Sequence, residues 1–209
     1  MNHLLVISCS PKGAQSAGDQ LTKELVDKLT VARPSLVVHS LDLAAEPLPP
    51  VSDAYARAIT GGASADDPVF AESERLILQL ERCDALVITT PIHNFTLPAT
   101  LKLWIDHVVR ARRTFTTRLN GKVGTLQDRP VYIVVSSGGT HRGPSANQPE
   151  FLSSYLRHVL GCIGLFDLNF IYLQGMAAGP ADVAAAVLDA RRQFSFTPLF
   201  AGLEKPIDE

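Results

Sequence analysis

The stretch DALVITT at residues 84–90 decides the fold of this chain. Its apolar character is unbroken, which is typical of a central parallel strand that is covered on both faces. PIHNFTLP follows at residues 91–98, and a helical period then includes Leu101, Ile105 and Val108. This succession of strand, loop and helix predicts an α/β protein, provided that the rest of the chain repeats it.

The same alternation runs along the sequence on both sides of that stretch. Strands are predicted at residues 3–8, 35–41, 84–90, 130–136 and 168–173, and helices at residues 17–31, 69–82, 98–112, 150–164 and 181–192. Asn120-Gly121 is a strong turn signal and predicts a small hairpin or lid over residues 114–126. These elements predict one domain over residues 1–195, a five-stranded parallel sheet with helices on both faces, and a tail at residues 196–209.

The composition is typical of a soluble protein from a reducing compartment. The formal net charge is −2, which argues against nucleic acid or an anionic membrane as a partner. No apolar run approaches the ~18 residues of a membrane span, and the first ten residues lack the basic region of a secretory signal. Cys9, Cys83 and Cys162 are scattered, so neither a disulfide framework nor a zinc site is indicated. We therefore expect a cytoplasmic protein without a metal.

Three predicted loops lie at the edge of the sheet where parallel strands end and ligands bind, at residues 9–17, 91–97 and 136–144. The first contains SPKGAQSAG, whose serines, glycines and helix start could hold a phosphate. A Walker A site is rejected because Asp19 and Gln20 stand where Lys and Ser/Thr are required. A cysteine phosphatase is rejected because Gln15 replaces its arginine, and GxGxxG is absent. The alternative is an ordinary turn with Ser16 as a helix cap.

Four segments resemble a known family, the FMN-dependent NAD(P)H:quinone oxidoreductases, also called azoreductases, which have a flavodoxin-like fold. They are SPKGAQS (10–16), PIHNFTLPATLKLWIDHVVRARRTF (91–115), SSGGTHRGP (136–144) and YLQGMAAGP (172–180). Their order matches the family, and the P-x-x-N-F-x-x-P pattern in the second segment is specific. The resemblance implies an enzyme that holds FMN and passes a hydride from NAD(P)H to quinones or azo compounds.

The resemblance also assigns residues to the parts of FMN. The phosphate maps to Ser10, Ser16, Ala17 and Gly18, the isoalloxazine ring to Pro91, Ile92, His93, Asn94 and Phe95, and its pyrimidine end to Ser136, Ser137, Gly138 and Gly139. Amide donors there suit the negative charge of a reduced flavin. Asn94 is alternatively a turn residue that satisfies its own backbone, and His93 is either a proton donor or a stacking surface.

The chain departs from the family pattern at several of these positions. Gly18 stands where the family often has a serine, His93 where tyrosine or tryptophan is usual, and Ser137 where better-known members carry arginine. Phe95 and Phe115 either line the pocket or belong to the core. The arginines at positions 110, 112 and 113 either complement a helix end or attract an anionic substrate.

A two-fold homodimer, in which each subunit completes the other's flavin pocket, is also implied by the resemblance. The predicted helix at residues 98–112 gives a separate reason, because it is apolar on more than one side. We therefore expect Trp104 or its helix neighbours at the interface. Two other functions stay open, a flavodoxin-type electron carrier that holds FMN without turning over an organic substrate, and a flavin-free interaction protein.

Overall fold

Strand and helix alternate throughout residues 1–119 and 121–201, which are the residues that the structure, a computed structural model, describes. The elements are β1 His3–Ser8, α1 Ala17–Ala32, β2 Val37–Asp42, α2 Asp53–Gly61, α3 Ala71–Arg82, β3 Ala85–Pro91, α4 Ala99–Val108, β4 Phe115–Arg118, β5 Gly121–Gly124, β6 Val131–Ser136, α5 Leu152–Gly161, β7 Leu168–Leu173 and α6 Pro180–Ser195. Short 3-10 turns occur at Gly13–Gln15 and Pro68–Phe70.

The main sheet has five parallel strands in the order β2-β1-β3-β6-β7. β3 lies at its centre and is buried from Ala85 to Thr90, as its unbroken apolar run predicts. One buried cluster joins the sheet to α1 and α6, and the other joins it to α3, α4 and α5. The predicted five-stranded sheet with helices on both faces is thus confirmed. The strand order reverses between β1 and β3, where such sheets bind their ligands.

Trp104 belongs to the core rather than to a surface. Its side chain is 1% exposed and packs with Leu101, Ile105 and Val108 between the sheet and α3. The expectation that Trp104 itself lies at a subunit interface is therefore wrong, whereas the same expectation for its helix neighbours stays a prediction. α4 is apolar around much of its circumference because it packs against both the sheet and α3 of the same chain. Leu103 and Val109 at this helix are only half-buried.

Helix α4 ends four residues earlier than predicted, because a distant side chain caps it. The Thr114 hydroxyl donates to the Val108 carbonyl at 2.6 Å and accepts from the Arg110 N–H at 2.9 Å. This bends the chain out of the helix and buries the Arg110 side chain. Its guanidinium pairs with Glu74 at 2.5 Å, and Arg113 pairs with both Glu74 and Glu81.

These ion pairs lie at the end of α4 that is remote from the loops following β1, β3 and β6. Because Arg110 and Arg113 are neutralised by carboxylates there, the suggestion that this arginine cluster attracts an anionic substrate is wrong. Arg112 has a left-handed backbone (φ 62°) and donates to the Ile59 carbonyl at 2.8 Å. The cluster therefore has a structural role, tying the end of α4 to α3 and to the last turn of α2.

The predicted hairpin is present as the antiparallel pair β4 and β5, although Asn120 in its turn lies outside the described residues. Its base packs at the edge where β6 and β7 begin. The Leu126 N–H donates to the Ile163 carbonyl at 3.1 Å, and a Cβ on Gly124 would lie 2.1 Å from the Gly164 nitrogen. This edge is opposite to the predicted ligand loops, so the hairpin is not a lid over them. Phe115, buried at its base, is core rather than pocket lining.

Beyond α6, the first part of the predicted tail folds back onto the sheet. Phe200 is buried and packs edge-on against Tyr132 and Phe194, with ring centroids 5.3 and 4.9 Å away. Residues 202–209 of the tail lie outside the described residues. Within the described part of the chain, the helices are all too short or too polar to cross a bilayer.

Candidate functional site

The three predicted loops meet at one edge of the sheet, because β1, β3 and β6 are neighbours in it. They comprise residues 9–16, 92–98 and 137–151, and are called the loop edge below. Backbone hydrogen bonds join them to adjacent strands: Cys9 N–H donates to the Thr89 carbonyl at 2.9 Å, and Ile92 N–H to the Ser136 carbonyl at 2.8 Å. The structure therefore brings the sequence-predicted site residues together at the switch in strand order.

The first loop presents hydroxyl and N–H donors at the start of α1. Ser10 and Ser16 are both buried, and Ser16 caps the helix, with its Oγ accepting from the Asp19 N–H at 3.4 Å. The Ser10 Oγ accepts from the Lys12 N–H at 3.3 Å. The N–H groups of Ala17 and Gly18 belong to the first turn, which has no helical carbonyl to bond. Ser16 is thus the helix cap that an ordinary turn would have. The cap leaves the N–H groups of Ala17 and Gly18 available to an anion.

α1 packs tightly against the sheet at Gly18. A Cβ atom on this residue would lie 2.9 Å from Thr89 Cγ2 and 3.6 Å from Val134 Cγ1. A distance below 3 Å between such atoms requires something to move. The glycine that replaces the family's usual serine therefore has a packing reason, since it lets the N-terminus of α1 lie directly against β3.

The second loop contains a tight turn of unusual backbone conformation. The His93 N–H donates to the Thr96 carbonyl at 2.8 Å, and the Thr96 N–H to the His93 carbonyl at 3.0 Å. Asn94 (φ 47°) and Phe95 (φ 72°) between them are both left-handed, which asparagine tolerates and phenylalanine rarely adopts. Such strain persists only where the surroundings impose it, and it is concentrated at functional sites.

A hydrogen bond from the third loop helps to hold this turn. The Phe151 N–H donates to the Phe95 carbonyl at 2.8 Å. The side chains of His93, Asn94 and Phe95 are all exposed, Phe95 by 45% and the neighbouring Phe151 by 58%. Asn94 thus lies in a tight turn and on the open surface of the loop edge.

In the third loop, Ser137 shapes the backbone. It is buried, its N–H donates to the Leu173 carbonyl at 2.9 Å, and its hydroxyl donates to the Gly139 carbonyl at 2.8 Å. Gly138 is exposed and Gly139 is half-buried against Gln148. The two glycines therefore form the accessible part of this loop, on the same side as the end of β3.

Gln174, which sequence reasoning missed, supports the same loop. Its Oε1 accepts from the N–H groups of His141 and Arg142, each at 2.8 Å. The His141 ring is held by a contact of 3.1 Å between Nδ1 and the Pro149 carbonyl. Gln174 directly follows β7, and only the pairing of β7 with β6 brings it to the loop.

Asp19 is the other residue that sequence reasoning missed as a site residue. Burial of its carboxyl, with the charge of Asp42 as a smaller cause, raises the pKa of Asp19 to about 6, although the hydroxyls of Ser8, Ser16 and Thr89 lower it. Its Oδ2 atom is buried without a hydrogen-bond partner among the described residues. The signal available in the sequence is an acidic residue directly after Gly18, inside a predicted anion site.

Behind the first loop, on the α1 side of the sheet, lies a cavity of about 480 Å³. Asp19, Thr22 and Val26 line it from α1, and Ser8 and Val38 from the strands. Cys9 is adjacent to Ser8, but burial raises the pKa of its thiol well above the usual range. That thiol is therefore not a nucleophile, in agreement with the rejection of a cysteine phosphatase.

The sequence of this chain is similar to those of known proteins. The chain matches the model of the flavodoxin-like fold family over residues 2–195. It is 54% identical over 200 residues to FMN-dependent NADH:quinone oxidoreductase 4 of Pseudomonas fluorescens, covering 96% of this chain and 97% of the relative. It is 45% identical over 185 residues to FMN-dependent NADH:quinone oxidoreductase 5 of Burkholderia lata, covering 88% and 91%.

Among solved structures, an azoreductase from Bacillus anthracis str. Sterne has a TM-score of 0.79 at 23% identity, with 92% of this chain and 97% of that chain covered. An FMN-dependent NADH-azoreductase from Bacillus anthracis str. Ames Ancestor in complex with FMN has a TM-score of 0.76 at 23% identity, with 91% and 96% covered. These likenesses support the fold alone. The sequence identities over nearly the full length of both chains show more: this protein is an enzyme of flavodoxin-like fold that belongs to the family of FMN-dependent NADH:quinone oxidoreductases.

Proposed function

We propose that this enzyme binds FMN at the loop edge and transfers a hydride from NAD(P)H to quinones or azo compounds. NADH is the favoured donor, because the two relatives described above are named for it. Bound FMN would supply the chemistry of accepting and donating the hydride. The residues of the chain then have three tasks, which are to hold the phosphate, to hold the ring and to exclude water.

The observation that carries the proposal is the set of donors around the start of α1. The buried hydroxyls of Ser10 and Ser16 lie beside the unpaired first N–H groups of the helix, and the close packing of Gly18 brings those groups next to the ends of β1 and β3. Such a cluster fits a phosphate. Hydrogen bonds to a charged group are worth about 1.5–3 kcal/mol each, so the loop would supply much of the FMN affinity.

The ring would lie against the second and third loops. The glycines at positions 138 and 139 present backbone amides without side-chain bulk, and the turn at residues 93–96 exposes His93, Asn94 and Phe95 at the same edge. Donors in these positions suit the negative charge that a reduced flavin carries. We propose His93 as a stacking surface for the ring or the substrate, because hydride transfer needs no protein base.

With one ring face against the protein, the nicotinamide donor and the acceptor must use the other face in turn. We therefore propose a ping-pong mechanism. The rival function, an electron carrier, would need the same FMN site but no room for an organic acceptor. The exposed surface formed by His93, Asn94 and Phe95 favours the enzyme, because it leaves space for a flat second molecule.

We also propose a homodimer, in which the partner subunit covers the loop edge. The hairpin lies at the opposite edge, so it leaves the exposed Phe95 and Phe151 rings uncovered. Exposed aromatic rings beside a cofactor site are typical of an interface, and a two-fold dimer needs only one self-complementary patch. A cytoplasmic location is proposed as well, since the free thiols of Cys9, Cys83 and Cys162 suit a reducing compartment.

A visible absorption spectrum of the purified protein, followed by NADH oxidation assays with and without a quinone, tests this function. A flavin band together with quinone-dependent NADH oxidation would support it. A flavin band without turnover would instead indicate an electron carrier. Failure to bind added FMN would contradict both and leave the flavin-free interaction protein.

A further inference from the structure

We propose that Asp19 is a positioning residue that couples the binding of the FMN phosphate to the uptake of a proton by its own carboxyl group. This inference rests on the proposed function, because it concerns the same phosphate loop. When ionised, Asp19 would hold the hydroxyl of Ser16 and repel the phosphate. When protonated, it would do neither, and the phosphate would bind more tightly.

The geometry places Asp19 on the inner wall of the phosphate loop. Its N–H donates to the Ser16 Oγ at 3.4 Å, and its carboxyl lies beside the hydroxyls of Ser8, Ser16 and Thr89. The Thr89 hydroxyl is already shared with Thr22 at 3.0 Å. Within the described residues, neither Asp19 Oδ2 nor Ser8 Oγ has a hydrogen-bond partner. The carboxylate is thus poorly solvated, directly behind the residue that caps α1.

Ser16 connects this carboxyl to the phosphate. A serine hydroxyl has a single hydrogen to donate, and the Ser16 Oγ already accepts from the Asp19 N–H. The hydrogen can therefore serve the carboxylate of Asp19 or an oxygen of the phosphate, but not both. A protonated carboxyl has less need of that donor, so the phosphate gains it.

The charge of Asp42 acts on Asp19 in the same direction. Asp42 at the end of β2 and the thiol of Cys9 after β1 face it from the strands, and Lys23 and Asp27 line the same cavity from α1. Lys23 is mostly exposed and pairs with Asp27 at 2.6 Å. No salt bridge to Asp19 occurs in the described part of the chain. Its pKa, raised to about 6 by burial first and Asp42 second, would rise further beside a phosphate, so proton and phosphate assist each other.

The pH dependence of phosphate binding distinguishes this coupling from the chemistry of FMN itself. A phosphate monoester loses its second proton near pH 6, and the dianion is attracted more strongly to N–H donors. That effect alone would strengthen FMN binding as the pH rises. Coupling to Asp19 acts in the opposite direction, so from pH 5 to 8 FMN binding by the wild type weakens relative to binding by a variant without this carboxyl.

The test is the dissociation constant of FMN, measured by flavin fluorescence quenching on the full-length protein freed of flavin. We expect the wild-type constant to rise about tenfold between pH 5 and pH 8 relative to that of Asp19→Asn, as for a shift of about one unit in the pKa of Asp19 on binding. Asp19→Asn should remove this rise and bind FMN about tenfold more tightly than the wild type at pH 8. Asp19→Ser should behave in the same way.

Asp27→Asn is the matched control, because Asp27 lies on the same helix but is exposed and paired with Lys23. It should keep the wild-type pH profile. Riboflavin, which has no phosphate, should bind equally to the wild type and to Asp19→Asn. Parallel pH profiles for FMN in the wild type and both Asp19 variants would overturn the coupling and leave the proposed function intact. Failure of the wild type to bind FMN at any pH would overturn both.

Discussion

Thr89 packs against Gly18 so closely that a Cβ atom on residue 18 would lie 2.9 Å from the Cγ2 atom of Thr89. Thr89 is at the end of β3 and is buried, and its hydroxyl is held by Thr22. Neither Gly18 nor Thr89 can move apart from the other without disturbing the core between α1 and the sheet. The start of α1, and with it the proposed phosphate donors, is therefore positioned by the absence of a side chain at residue 18.

Substituting Gly18→Ala should accordingly destabilise the protein by about 1–3 kcal/mol, the usual effect of an extra methyl group in a tightly packed site. FMN binding should weaken as well, because the first turn of α1 must move away from β3. Thermal unfolding and FMN titration measure the two effects. Gly61→Ala is the control, since a Cβ there has no atom within 4 Å and the residue is helical, so the change should be neutral or stabilising. Equal stability of the two variants would contradict this account.

Ser10→Ala should weaken FMN binding by about ten- to a hundredfold, because it removes a donor to a charged group worth about 1.5–3 kcal/mol. The exposed Ser35, before β2, offers a control in Ser35→Ala, which should bind FMN as the wild type does. Riboflavin should bind the wild type much more weakly than FMN does. If riboflavin titrates as tightly as FMN, the phosphate does not bind in this loop.

The folding stability should depend on the ionisation of Asp19. Its pKa is about 6 in the folded chain and about 3.9 in an unfolded one, so the folded state binds the proton more tightly. The stabilisation is complete below about pH 4 and is lost as the pH rises through about 6. Because the carboxyl is partly open to solvent, we expect a loss of about 1 kcal/mol.

Asp19→Asn in the flavin-free protein should therefore unfold at a higher temperature than the wild type at pH 7.5, with the difference vanishing near pH 4. Scanning calorimetry at both pH values measures this. Asp27→Asn again provides the comparison, because Asp27 is exposed and ion-paired. A wild type that is more stable than Asp19→Asn at pH 7.5 would mean that the carboxylate is better solvated than its burial suggests.

Steady-state kinetics test whether donor and acceptor share one pocket. Double-reciprocal plots of rate against NADH concentration, at several fixed quinone concentrations, should give parallel lines, because in the proposed site both substrates use the same open ring face. Intersecting lines would show that both substrates bind together and would require a second pocket. The measurement uses purified enzyme at a concentration at which the proposed dimer is assembled.

The proposed dimer predicts different outcomes for two exposed phenylalanines. Phe151 is 58% exposed at the loop edge, and Phe166 is 69% exposed at the opposite edge, before β7. Phe151→Asp should give monomers that lose flavin and turnover together, whereas Phe166→Asp should stay dimeric and active. Mass photometry measures the oligomeric state of each variant, and an activity assay measures its turnover. A fully active monomer of the Phe151→Asp variant would refute the shared pocket. A charged residue at Trp104 is unsuitable for this test, because that side chain is buried and its loss would unfold the chain.

The sequence determined the features that depend on neighbouring residues. Strand β7 was predicted residue for residue at 168–173, and β3 within one residue, because apolar runs and their periods are local properties. The meeting of three loops at one edge followed as well, since parallel strands align their carboxyl ends. The serines, the Asn-Phe turn and the two glycines of the site were therefore recognisable before the fold was known.

Only the tertiary structure decided what depends on residues distant along the chain. Arg110, just beyond the end of α4, is buried against Glu74, which lies 36 residues away in sequence on another helix. The hairpin belongs to the edge opposite the site because Gly124 packs on Gly164. The carboxyl of Asp19 is unusual because three separate strands bring Ser8, Thr89 and Asp42 to it. Burial and unpaired charge arise from such distant neighbours, and no local pattern in the sequence records them.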